Sequence, residues 1–153
     1  MLSKYTEETV GLLLVDGARL LRLQIDRALD GAGLGLTAGE ARTLAYVALS
    51  PASRQTALAA QMNVEPMTLV AFLDRLESRR LVVRAPDPTD RRAKIVRLAP
   101  DAQPTLEQVL GITRKVQDEA LQDFAPDEVQ MLRTLLKRMR ANIAGTEPGR
   151  EQA

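Results

Sequence analysis

The chain contains no cysteine and no histidine. Without a thiol there is no disulfide, no thiolate metal site and no peroxide-sensing cysteine. Without an imidazole the commonest general base, metal ligand and neutral-pH switch is missing as well. Carboxylates remain, but they form no EF-hand-like cluster, and no glycine-rich loop is present to cradle phosphate. Aromatic residues number four, two Tyr and two Phe, and no nucleophile–base constellation accompanies them. Long apolar runs are absent too. Glu7 and Glu8 precede a short apolar stretch broken by Asp16 and Arg19, which is not a signal peptide, and nothing approaches transmembrane length. These absences predict a cytoplasmic, non-enzymatic protein with no metal, no cofactor and no membrane partner.

What is present is a charge asymmetry. Net charge over the 153 residues is +1, a length that suits one domain, or one domain with oligomerisation elements. Residues 54–97 nevertheless hold nine Lys/Arg (54, 75, 79, 80, 84, 91, 92, 94, 97) against five Asp/Glu (65, 74, 77, 87, 90), a local +4. The remaining 12 basic and 15 acidic residues sum to −3. An anionic partner is therefore expected for the middle of the chain only.

That middle segment includes LESRRLVVRAPDPTDRRAKIVRL, residues 76–98. Pro86, Asp87, Pro88, Thr89 and Asp90 mark a turn. Leu81-Val82-Val83 before it and Ile95-Val96 after it are strand-type residues. The pattern predicts a β-hairpin with Arg91, Arg92 and Lys94 at its tip, joined directly to a helix. A rigid hairpin that presents arginines is suited to a DNA groove.

Helical periodicity accounts for most of the rest. Leu14, Ala18, Leu21, Ile25 and Ala28 form a seam over residues 5–30, with Gly17 inside it and Gly31-Ala32-Gly33 ending it. Thr37 and Glu40 form a capping box for a helix to about Leu49, with Ala41, Leu44, Ala45 and Ala48 inward. Ser50-Pro51-Ala52-Ser53 breaks the chain. A short helix over residues 55–62 follows, then a turn at Asn63-Val64-Glu65. Pro66 opens a helix to about residue 80 that buries Leu69, Phe72, Leu73 and Leu76. Two helices across a three-residue turn, followed by the hairpin, predict a winged helix-turn-helix. In the last third, Leu106, Val109, Thr113, Val116, Ala120 and Phe124 share one face. Ala125-Pro126-Asp127 interrupts, and Val129, Leu132, Leu136, Met139 and Ile143 form a second seam.

The expected fold is mainly α with a small β-hairpin (α+β): a winged helix-turn-helix core at 37–99, flanked by long dimerisation helices at 5–30 and 102–144, with a flexible tail at 145–153. Seams at both termini need a partner surface, and palindromic DNA rewards two-fold symmetry, so a homodimer is expected.

The segments LDRLESRRLVVR and PDPTDRRAKIVRL, set between long helices, resemble the MarR family of bacterial transcription regulators, and within it the SlyA-like branch. The most specific element is Asp90-x-Arg92, preceded by Pro86-Asp87-Pro88 and followed by Ala93-Lys94. The resemblance implies a homodimer on a pseudo-palindromic double-stranded DNA operator, acting as a repressor modulated by a small aromatic or phenolic ligand. It makes 66–80 the recognition helix, with Met67, Thr68, Val70 and Ala71 toward the base edges of the major groove. Where Ala71 stands, SlyA-like relatives often carry a base-reading arginine. Without it a bidentate guanine contact is lost, and the residues left suit thymine methyl groups and DNA shape. Arg92 is expected in the minor groove, braced by Asp90. Arg54, Gln55, Arg75, Arg84, Arg91 and Lys94 are the expected phosphate contacts. Two departures stand out. Arg80 occupies the position of a helix-ending glycine, at about 1 kcal/mol if the left-handed conformation is kept. Ala99-Pro100 replaces the usual threonine cap, a role that falls to Asp101. The alternative function is an effector-independent or architectural DNA-binding protein that competes with other proteins on DNA. An adaptor that binds protein would leave the Arg91-Arg92 tip without a role. Tyr46 reads as a core or surface residue rather than a ligand contact.

Overall fold

The computed structural model describes residues 8–145. Two compact units divide the chain, residues 1–117 and 118–153.

The first unit opens with α1 (Val10–Gly31), which begins at Val10 because the Thr9 hydroxyl accepts the Leu12 N–H at 3.2 Å. Residues 5–7 of the expected helix lie outside the described residues. Open space surrounds Gly17 where a Cβ would stand, so no close packing requires it and its cost of about 1 kcal/mol to the helix remains. The α2 helix (Ala38–Leu49) carries the expected capping box. Thr37 Oγ1 accepts the Glu40 N–H at 3.2 Å, and Glu40 Oε2 accepts the Thr37 N–H at 3.0 Å.

Next come β1 (Ser53–Arg54), α3 (Gln55–Met62) and α4 (Pro66–Ser78). Between the two helices Asn63 adopts a left-handed φ of 51°, and Val64 donates back to the Ala59 carbonyl at 3.1 Å. The α4 helix stops two residues short of the expected end. Arg80 takes a φ of 58°, with Arg80 N–H to Glu77 O and Leu81 N–H to Leu76 O both at 2.9 Å. This is the paired closure of a Schellman motif, with Leu76 and Leu81 both buried beneath it. Arg80 therefore occupies the glycine position in the left-handed conformation, at the expected cost of about 1 kcal/mol.

The wing is three-stranded rather than a simple hairpin. β2 (Val82–Pro86) pairs antiparallel with β3 (Lys94–Leu98), Val82 opposite Leu98 and Pro86 opposite Lys94. β1 adds to the other edge of β3, Ser53 opposite Val96. The break expected at 50–53 thus runs into a strand, after Ala52 turns the chain at a φ of 58°. Asp101 caps nothing: a 3-10 turn (Pro100–Ala102) leads into α5 (Gln103–Ala120) without a side-chain cap, the Ala102 N–H bonding instead to Ala99 O at 3.1 Å.

Leu29, Leu44, Leu58, Leu69, Leu73, Leu76, Val82, Val96 and Val109 are fully buried and join α1 to α5 in one core. Each contributes roughly 1.5–3 kcal/mol of transfer free energy. Ala41 is buried with them, while Ala45 and Ala48 pack at the edge. Phe72 is half-buried, and a Cβ added at Gly39 would lie 2.4 Å from its ring, so glycine is what lets α2 approach α4. On α5, Leu106 and Val109 are buried and Thr113 and Val116 half-buried, but Ala120 is exposed. Phe124, also exposed, lies beyond the helix end, so the expected single face breaks there.

The second unit contains α6 (Pro126–Ala144), opened where Glu128 accepts the Ala125 N–H at 2.8 Å. No residue of α6 is buried. The expected tail lies outside the described residues from 146 onward.

Candidate nucleic-acid interface

On α4 the 3.6-residue period turns Leu69, Leu73 and Leu76 into the core. Met67, Thr68, Ala71, Asp74, Arg75 and Ser78 are left on the open face. Met67 is 77% exposed. Val70, expected among the base-reading residues, is half-buried and turned partly toward the core. Arg75 Nε reaches Glu40 Oε1 at 2.7 Å, so the buried carboxylate that caps α2 also holds a recognition-helix guanidinium.

The wing tip is built by aspartates that bond backbone two residues onward, which fixes a turn without needing glycine. Asp87 Oδ1 accepts the Thr89 N–H at 2.8 Å and its hydroxyl at 2.7 Å, while Oδ2 accepts from Arg54 Nε at 2.6 Å. Those bonds from Thr89 and then from Arg54 hold the Asp87 carboxyl down from 3.8 to about 2. Asp90 Oδ1 accepts the Arg92 N–H at 3.0 Å. The expected brace of the Arg92 guanidinium is not made: Asp90 grips the main chain of Arg92 instead, and the side chain is left exposed. Arg91, Arg92 and Lys94 are exposed, and among the described residues none of them joins an ion pair.

Two expected phosphate contacts do different work. Arg84 on β2 donates through Nη2 to Asp74 Oδ1 and Glu77 Oε2, both at 2.6 Å, and through Nε to Glu77 Oε2 at 3.2 Å. Its side chain is 19% exposed, and it fastens the wing to the recognition helix. Donation to Glu77 and then to Asp74 raises the Arg84 pKa, and accepting those bonds from Arg84 lowers that of Glu77. Arg54 ties β1 to the wing loop through Asp87 and Thr89. Gln55 and Lys94 meet Glu77 and Arg84 around a polar cleft of about 380 Å³, in which Gln55 Oε1 has no hydrogen-bond partner.

A second concavity went unnoticed in the sequence. Between α1, α2 and α5 lies a cavity of about 450 Å³ with apolar walls that include Leu21, Ile25, Ala45 and Val109. Arg22, Arg42 and Arg114 line it together with Tyr46. Arg42 Nε lies 3.1 Å from Asp26 Oδ1, yet the two atoms are not aligned as a hydrogen bond and both are buried without one. Arginines set among apolar seam residues were the available signal. No group of three or more acidic, His or Cys residues among the described residues could hold a metal ion. No described helix is long and apolar enough to cross a membrane.

A helix-turn-helix with an open recognition face, rigidly joined to a wing tipped with unpaired cations, is the architecture of a DNA-binding transcription regulator. The sequence pattern of the MarR family matches residues 36–94, from just before α2 to the first residue of β3. The chain is 32% identical to the transcriptional regulator PA3341, with 90% of this chain and 99% of that one covered and a TM-score of 0.70. A MarR-family regulator from Silicibacter pomeroyi is 25% identical, with 94% and 92% covered and a TM-score of 0.74. The regulator SlyA is 23% identical, with 90% and 96% covered and a TM-score of 0.69; it shares the fold and stands no nearer than the other two, so the SlyA-like branch is not singled out. The chain belongs to the MarR family.

Proposed function

We propose that this regulator is a homodimeric repressor that binds a pseudo-palindromic operator, with α4 in the major groove and Arg92 in the flanking minor groove. The supporting observation is the pairing of an open α4 face with a wing tip whose cations have no carboxylate partner among the described residues. In this reading residues 37–99 form the DNA-binding region, and Met67, Thr68 and Ala71 face bases. Arg91, Lys94, Gln55 and the outer edge of Arg75 serve phosphates. The regions 5–30 and 102–144 dimerise. Leu12, Leu13 and Leu14 of α1 and Met131, Leu135 and Leu136 of α6 are exposed in the single chain, as a subunit interface requires.

The cavity favours modulation by a ligand over effector-independent binding. Apolar walls with Arg22, Arg42 and Arg114 among them suit a small aromatic anion such as a phenolic carboxylate. A carboxylate there would supply the hydrogen bond that Arg42 Nε lacks. Selection of duplexes from a random pool, followed by affinity measurement with and without salicylate-type anions, tests both levels. Recovery of a symmetric motif that the anion weakens is the expected result. A motif indifferent to every such anion would leave the effector-independent regulator standing, and recovery of no motif would end the proposal.

A further inference from the structure

We infer that the operator half-site is read through the 5-methyl groups of thymines, by the surface that Met67, Thr68 and Ala71 present together; this rests on the proposed operator binding. The open face of α4 carries six side chains, and the structure sorts them into two groups. Toward the C-terminal end, Arg75 is drawn to Glu40 at 2.7 Å, Asp74 to Arg84 at 2.6 Å, and the Ser78 hydroxyl to the Arg75 carbonyl at 2.7 Å. Those polar groups are engaged within the fold. Toward the N-terminal end, the part of a recognition helix that meets base edges, Met67, Thr68 and Ala71 are exposed and offer a thioether methyl, a threonine methyl with its hydroxyl, and an alanine methyl.

Major-groove chemistry decides what such a surface can select. Guanine readout needs a two-pronged donor, and adenine readout an amide that both donates and accepts. Neither is present at 67, 68 or 71. Thymine alone among the bases offers an apolar group in the major groove, and alanine and threonine methyls are suited to it. Met67, the most exposed large apolar residue among the described residues at 77%, adds a flexible surface that can follow the methyl without strict geometry. Removing it from water on the operator gives the recognition its driving force, which is apolar burial rather than hydrogen bonding.

The test replaces each thymine of the selected operator by deoxyuridine, which keeps every hydrogen bond and removes only the methyl. Burying one methyl-sized group is worth about 0.8 kcal/mol, or about fourfold in affinity, so one read position replaced in both half-sites should weaken binding about 16-fold. Cytosine at such a position should bind poorly, and 5-methylcytosine should recover about fourfold of the loss. Met67→Ala, a change at an exposed site, should abolish the penalty at the thymine that Met67 covers and leave the melting temperature unchanged. An operator that is selected and bound tightly, but tolerates deoxyuridine at every position, overturns the methyl readout and leaves operator binding intact; Arg75→Ala would then be expected to relax the motif. If no duplex is selected, operator binding fails and the readout fails with it.

Discussion

Replacing Arg84 by alanine should weaken the fold while leaving the salt dependence of DNA binding where it was. Sequence alone groups Arg84 with the phosphate contacts, and the structure assigns it the opposite task. Its guanidinium donates to Asp74 and Glu77 at 2.6 Å, and its main-chain N–H donates to Glu77 Oε1 at 3.2 Å. Hydrogen bonds to charged partners contribute about 1.5–3 kcal/mol when shielded, whereas fully exposed ion pairs contribute about 0–1. The Arg84 side chain is 19% exposed, but Asp74 and Glu77 are 58% and 39% exposed, which places the loss toward the lower range. A destabilisation of about 1–2 kcal/mol follows, or roughly 2–8 °C in melting temperature for a chain of this size. Arg84→Lys keeps the charge but loses the fork, and should fall between. The assay is thermal melting beside operator and random-duplex affinity over a salt series, with Arg91→Ala in parallel. Arg91→Ala should melt like wild type and lower the salt slope by about one unit per protomer. If Arg84→Ala melts like wild type while its salt slope falls, the rivet is imaginary and Arg84 serves phosphate after all.

Three further expectations can be checked on purified protein. Gly39→Ala drives a methyl to 2.4 Å from the Phe72 ring and should cost about 1–3 kcal/mol in a denaturant titration, with Phe72→Leu restoring part of it. Charged residues at Leu136 and Met139 together should yield monomers or insoluble chain in light scattering, whereas wild type should be dimeric at micromolar concentration. The Asp87 carboxyl is held down from 3.8 to about 2, so its bonds favour the folded state fully above about pH 4 and lose that effect as pH falls toward 2. The difference in melting temperature between wild type and Asp87→Asn should accordingly be present at neutral pH and shrink across that acid interval.

Local chemistry explains which parts of the fold were legible. The Thr37–Glu40 box, the Asn63 turn and Pro66 are signals read within a few residues, and the helix boundaries they mark fall where expected. Strand β1 was hidden because two residues carry no period; Ser53 and Arg54 become a strand only by pairing with Val96 and Ile95, more than 40 residues on. The same distance conceals partners. Nothing near Arg54 announces Asp87, and nothing in the hairpin announces that Asp74 and Glu77 lie over Arg84. Cations could be counted from sequence, but which of them are neutralised within the fold depends on tertiary contact. The cavity was hidden for a related reason: Arg22, Arg42 and Arg114 come from separate helices and converge only when α1, α2 and α5 pack.

The central claim is that the wing tip and the open face of α4 form one DNA-reading surface, and Arg92 tests it most directly. Asp90 fixes the main chain of Arg92 and leaves its side chain exposed on a loop, so Arg92→Ala should not alter the melting temperature. Operator affinity should fall by roughly 1–3 kcal/mol per site, most where the flanking minor groove is narrow and A·T-rich, because negative potential is focused there. A folded Arg92→Ala protein that binds the selected operator as tightly as wild type would contradict the account and reduce the wing to a structural hairpin.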